Sequence, residues 1–186
     1  MVYPIKGKKR KRYSHFIKDG ANFLITKKVD ILNSLVEVCD LHASRLHMAY
    51  LYVKPLSPFS GNMMSELQNA QISFVELLIS RFTKLQDTLS SKLFPLILDF
   101  LEAEEKTRSF LDILHQMEKV DLLKSTKDWL AMRTLRNHLT QEYPNKPDLV
   151  ADNLNKAIVS SCELLEYWTS LKPKVAMIRE KWIQKL

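Results

Sequence analysis

Residues 25–53 read ITKKVDILNSLVEVCDLHASRLHMAYLYV. Apolar side chains fall at Ile25, Val29, Leu32, Val36, Cys39, Ala43, Leu46, Tyr50 and Val53, in steps of four and three without a miss. That is the seam of a long helix packed at a shallow angle; a strand would repeat every second residue. Pro55 and Pro58, followed by Ser60-Gly61-Asn62, predict the end of this helix and a loop.

The same periodicity continues on the C-terminal side. A second stripe runs Leu67, Ala70, Phe74, Leu78, Phe82, Leu85, Leu89, Leu93, Leu96, Phe100, with Pro95 predicting a kink or break near Lys92. Acids at 102, 104 and 105 predict an exposed turn, and Phe110, Leu114 and Met117 mark one side of a short third helix. Ser125, with Asp128 three residues on, is a capping-box-like start for a fourth helix carrying Trp129, Met132, Leu135 and Leu139 and ending before Pro144. Pro147 opens a fifth, with Leu154, Ile158, Cys162, Leu165 and Trp168. Pro173 is expected to break it, leaving a last turn or two with Val175, Ile178 and Trp182. Only three glycines interrupt 186 residues. The fold class this predicts is all-α: one up-and-down bundle of about five helices over residues 21–186, behind a flexible basic tail at 1–20.

Charge sits in that tail. The chain carries a net charge of +7. Lys6, Lys8, Lys9, Arg10, Lys11, Arg12 and Lys18 all precede the first acid, Asp19, and the remaining basic and acidic residues cancel. Such a segment either neutralises RNA or DNA phosphates or stays a solvated arm. Cys39 and Cys162 lie far apart within helical patterns, which predicts reduced, packed thiols rather than a disulfide or zinc site. No apolar run reaches the ~18 residues of a membrane span, and the charged N-terminus lacks a signal-peptide core, so a soluble cytoplasmic protein is expected. There is no Gly-rich phosphate loop. His42 and His47 are five apart, the wrong spacing for a shared ligand face, so neither a metal nor a cofactor is expected.

The fourth helix concentrates the remaining chemistry in WLAMRTLRNHLTQEY, residues 129–143. If it is helical throughout, Arg136 lies ~20° from both Trp129 and Tyr143, with Arg133 at ~60°. A guanidinium on such a face needs a partner. Either it pairs with an acid of another helix or it holds a phosphate.

RFTKLQDTLSSKLFPLILDFL at 81–101, SFLDILHQMEKVDLL at 109–123 and DWLAMRTLRNHLTQEYPNKPD at 128–148 together resemble the HEPN superfamily. More narrowly they are similar to HepT-like proteins, also described as nucleotidyltransferase substrate-binding proteins. The resemblance covers roughly residues 74–158. Its motif is an Arg, a polar residue, a His four to six positions after the Arg, and often a Tyr two beyond; Arg136, Asn137 and Tyr143 match. The resemblance implies a helical bundle that forms a homodimer through the motif helices. It further implies metal-independent RNA cleavage in the groove between two protomers, the Arg holding the scissile phosphate and the His acting as general acid or base. It also implies a toxin–antitoxin partnership with a small nucleotidyltransferase that attaches AMP to the Tyr, here Tyr143.

Gln141 stands where the motif has its His. An amide does not titrate near neutral pH and shuttles no proton. His138, one turn earlier, is a candidate substitute. Two functions are therefore expected. One is a ribonuclease or toxin scaffold impaired at Gln141. The other is a non-catalytic module in which Arg133, Arg136, Asn137 and Tyr143 bind RNA, a nucleotide or a nucleotidyltransferase partner.

Overall fold

The computed structural model describes the backbone of residues 8–102, 107–141 and 146–184, and side chains from residue 23 on within those spans. The chain is all-α, with no strand among the described residues. The elements are α1 (Lys8–Val53), a 3-10 turn (Lys54–Leu56), α2 (Gly61–Glu66), α3 (Asn69–Thr88), a π turn (Leu89–Leu93), α4 (Phe94–Glu102), α5 (Phe110–Lys119), α6 (Thr126–Leu139) and α7 (Pro147–Ile183). α3, the π turn and α4 form one unbroken rod, so the described helices number six. α1 packs chiefly on α3 and α7, and α6 lies against α7 and α3.

The α1 seam is as its spacing predicts. Val29, Leu32, Cys39, Leu46, Tyr50 and Val53 are buried, and Ile25, Val36 and Ala43 pack at the margin of the core. The helix backbone begins at Lys8, inside the basic segment. At its other end the loop after the 3-10 turn is clipped to α7. Asn155 accepts from the Phe59 N–H at 2.8 Å and donates to the Phe59 carbonyl at 2.9 Å, and the Gly61 N–H donates to Asp148 at 3.1 Å. A side chain at Gly61 would run into the Asp148 carboxylate, which is why α2 starts on a glycine.

Pro95 does not break the second helix. The Phe94 N–H reaches back five residues to Leu89 O, and this extra residue absorbs the proline that follows. The hydroxyls of Thr88 and Ser90 take the carbonyls of Lys84 and Gln86, each at 2.8 Å, and Ser91 bonds Asp87 O, so the widened turn leaves these carbonyls satisfied. The inserted residue also turns the buried face. Leu96, placed on the seam by its spacing, is only half-buried, and Ile97 and Leu98 are fully buried instead.

Two expectations for α7 are corrected. The helix runs through Pro173 to Ile183. A proline fixes φ near the helical value, so its cost is one lost hydrogen bond and a local clash, ~3 kcal/mol. Leu171 and Val175, buried on either side, each return ~1.5–3 kcal/mol, and Ile178 and Trp182 extend the apolar face beyond. The seam itself runs Leu154, Ala157 with Ile158 as expected, Ser161, Leu164, Trp168, Leu171, Val175, with Cys162 and Leu165 at its edge.

Ser125 caps α6 as predicted, its Oγ accepting the Asp128 N–H at 3.1 Å. Ser125→Ala is expected to destabilise the fold by about 1 kcal/mol. Urea denaturation measures this, and an unchanged midpoint would show the cap to be dispensable.

Candidate functional site

α6 is held in place by an aromatic cluster. Trp129, buried, lies 5.0 Å from Phe94 of α4 and 5.3 Å from Tyr167 of α7, and the Tyr167 hydroxyl donates to Leu122 O at 2.9 Å. Burial drives the Tyr167 phenol pKa far upward, so it is a neutral hydrogen-bond donor. The cluster fixes which face of α6 is turned outward.

Arg133 lies on that face with its guanidinium 4.0 Å from the centroid of the Phe110 ring. This stacking is compatible with a cation facing a ligand, but it commits one guanidinium surface to α5. Arg136 pairs through Nη1 with Asp87 of α3. Its Nε and Nη2 donate to the Asn137 side-chain carbonyl at 3.2 and 2.9 Å. The Arg136 side chain is 18% exposed and Asp87 49%. This is an ion pair at the protein surface rather than one locked in the interior. Asp87 was not visible as a site residue in the sequence, because nothing local to α6 points to an acid 49 positions away.

α6 stops at Leu139, with the Thr140 N–H on Arg136 O at 3.2 Å and the Gln141 N–H on His138 O at 3.3 Å. The helix thus ends before Pro144, as expected, but already at Leu139, so the angular arithmetic that put Arg136 and Tyr143 on one stripe, which assumed a helix through 143, does not apply. Thr140 supplies the stop by bonding Asn137 O through its own hydroxyl at 3.0 Å. Tyr143 lies outside the described residues. Gln141 sits past the helix end, and His138 is on the last turn; both are exposed. Together they line a cleft with Met64, Val75, Ile79 and Leu154. Its volume of about 50 Å³ falls well short of the ~300 Å³ where ligand pockets begin, so it encloses no ligand of nucleotide size.

The other chemistry-bearing residues are elsewhere. Cys39 is fully buried, its thiol pushed up to about 12 by burial and the neighbouring Asp40; Cys162 is half-buried beside Glu166, and both are free thiols. His42 meets Arg81 at 3.4 Å, and burial with that cation lowers its pKa. Glu102 accepts from Arg108 at 2.8 Å; the rest of the expected acidic turn, residues 103–106, lies outside the described residues. Among the described residues no group of three or more His, Cys, Asp or Glu could hold a metal ion, and no helix is long and apolar enough to cross a membrane. No family model, curated protein or solved structure matches this chain. The functional reading therefore rests on the α6 geometry and on the residues that carry the resemblance.

Proposed function

We propose that this chain is a HEPN-like, HepT-type helical module that binds RNA or nucleotide phosphate at the outer end of α6, on a ribonuclease scaffold whose own cleavage activity is weak or absent. The observation that carries this is the Arg136 fork, held at the surface between the half-exposed Asp87 carboxylate and the Asn137 amide. A surface ion pair of this kind is worth ~1 kcal/mol or less, so an incoming phosphodiester exchanges for Asp87 at little cost. The planar fork offers a phosphate two parallel N–H bonds, and Asn137 fixes the fork's orientation. The helix end itself presents carbonyls, which disfavour an anion, so recognition falls to the side chains. Gln141 supplies hydrogen bonds but no proton, which leaves binding without general acid–base chemistry.

A second reading is an active ribonuclease toxin of a toxin–antitoxin pair, kept in check by a small nucleotidyltransferase that modifies Tyr143. What favours it is the position of His138, whose imidazole lines the same cleft as Gln141. Cleavage by the unaltered chain that disappears in His138→Ala selects this reading.

Arg136→Ala is expected to weaken binding of a labelled single-stranded RNA by about tenfold or more, in line with the ~1.5–3 kcal/mol of hydrogen bonds to charged groups. The same substitution is expected to change unfolding free energy by ~1 kcal/mol or less. Fluorescence anisotropy and urea denaturation on one preparation separate the two. A collapse in stability with unchanged affinity makes Arg136 a structural residue and ends the proposal.

A further inference from the structure

α1 carries a second apolar stripe on the side away from the core. Leu24, Ile31, Val38, Leu41, Met48 and Tyr52 are each between 39% and 60% exposed. Leu24, Ile31 and Val38 are spaced by seven, as are Leu41 and Met48, and Tyr52 falls two such steps beyond Val38, with Arg45 between. At ~100° per residue this stripe lies roughly 140° around the helix from the buried seam. A seven-residue spacing is what a partner helix requires, and although the Tyr52 ring stacks on Phe74 of α3 at 3.9 Å, Leu24, Ile31, Val38, Leu41 and Met48 stay between 39% and 60% exposed among the described residues.

We propose that α1 pairs antiparallel with α1 of a second copy of this chain, about a two-fold axis passing between positions 39 and 40. In that register Ile31 faces Met48 of the second copy and Val38 faces its Leu41. Lys27 faces the Tyr52 ring and Arg45 faces Ser34. Ile31, Val38, Leu41 and Met48 thus each meet an apolar residue, and the seam cations Lys27 and Arg45 each meet an uncharged group. Parallel pairing in the same stripe sets Lys27 against Lys27 and Arg45 against Arg45, so like charges select the antiparallel form. The six apolar side chains expose on the order of 500 Å² per copy; with the polar flanks this approaches the ~800 Å² per partner of a stable interface. The stripe is thus self-complementary under two-fold symmetry, the property a homodimer face requires. This surface is on α1, separate from the α6 helices that the HEPN resemblance would pair, and it does not depend on RNA binding.

Sedimentation equilibrium of the full chain at tens of micromolar is expected to show a dimer. Val38→Glu/Leu41→Glu is expected to weaken it by roughly a hundredfold or more, since four carboxylates enter one apolar seam. Ile31→Lys/Met48→Lys, at positions already half-exposed, gives the same readout should the first pair disturb folding, with helicity checked by circular dichroism. For orientation, an Ile31→Cys chain is mixed with a Met48→Cys chain, both in a Cys162→Ser background. Cross-linking between the two kinds supports the antiparallel register. A monomer throughout, a dimer indifferent to both double substitutions, or cross-links confined to like chains overturns the proposal.

Discussion

Gln141→His is expected to raise RNA cleavage by about 10²–10⁴-fold over the unaltered chain, the usual contribution of one positioned general acid or base. The substitution introduces a group with pKa near ~6.5 just beyond the last turn of α6, one helical turn from Asn137, where the resemblance to HepT-like proteins calls for it. RNA needs no metal for this chemistry: the 2′-hydroxyl attacks the adjacent phosphorus once its proton is taken and the 5′-oxygen receives one. Arg136 would neutralise charge on the phosphate. A gel assay on labelled RNA reads the rate, and its pH profile should gain a limb near neutrality that the parent lacks. The same substitution combined with Arg136→Ala should lose the gain. Should Gln141→His bind RNA normally and cleave no faster than the parent, the scaffold has no latent nuclease in it and only the binding module survives. Activity in the parent that depends on His138 moves the proton shuttle to that residue instead.

Phe94→Ala is expected to cost about 3–5 kcal/mol of folding stability. Phe94 is fully buried and lies directly after the π turn, its ring 5.0 Å from Trp129 and 6.2 Å from Tyr167. Truncating it empties a volume that α4, α6 and α7 share, and those three elements relax independently only with difficulty. Against the ~5–15 kcal/mol that holds a domain folded, this is a large fraction. Thermal and urea unfolding should both shift strongly, and RNA binding should fall too if the variant loses the orientation of α6. A loss below ~1 kcal/mol would mean that the aromatic cluster does not anchor the motif helix. Comparison with Arg136→Ala then distinguishes groups that hold the site from groups that contact the ligand.

The parts of this fold that could be read from the sequence are those set by local chemistry. The α1 seam, the Ser125 cap and the Pro147 helix start each depend on residues within a few positions, and each is found where the spacing puts it. Misreadings arise where tertiary packing outweighs a local preference. Pro173 sits within a helix because apolar side chains on both sides of it are buried. Ser161 is fully buried on the α7 seam, where a polar residue does not register as apolar periodicity. For the site, Arg136 and Asn137 do share the end of α6, but a straight-helix extrapolation carried Tyr143 along with them past a helix that stops at Leu139. Asp87, the acid that engages Arg136, was invisible from α6 because the contact is made by folding and not by sequence proximity.

The widened turn at Leu89–Leu93 bears on how this chain compares with its evolutionary kin. Shortening that segment by one residue would restore an ordinary helical repeat and leave Ile97 and Leu98 turned to the interior, because the wide turn absorbs the extra residue locally; the ~100° rotation would arise only if the extra residue were held in an ordinary repeat. A descendant or ancestor without the extra residue would therefore keep the same apolar pattern along the whole C-terminal leg, one position earlier in number. Alignment of the two would be correct only with a single-position gap placed in the middle of a continuous helix.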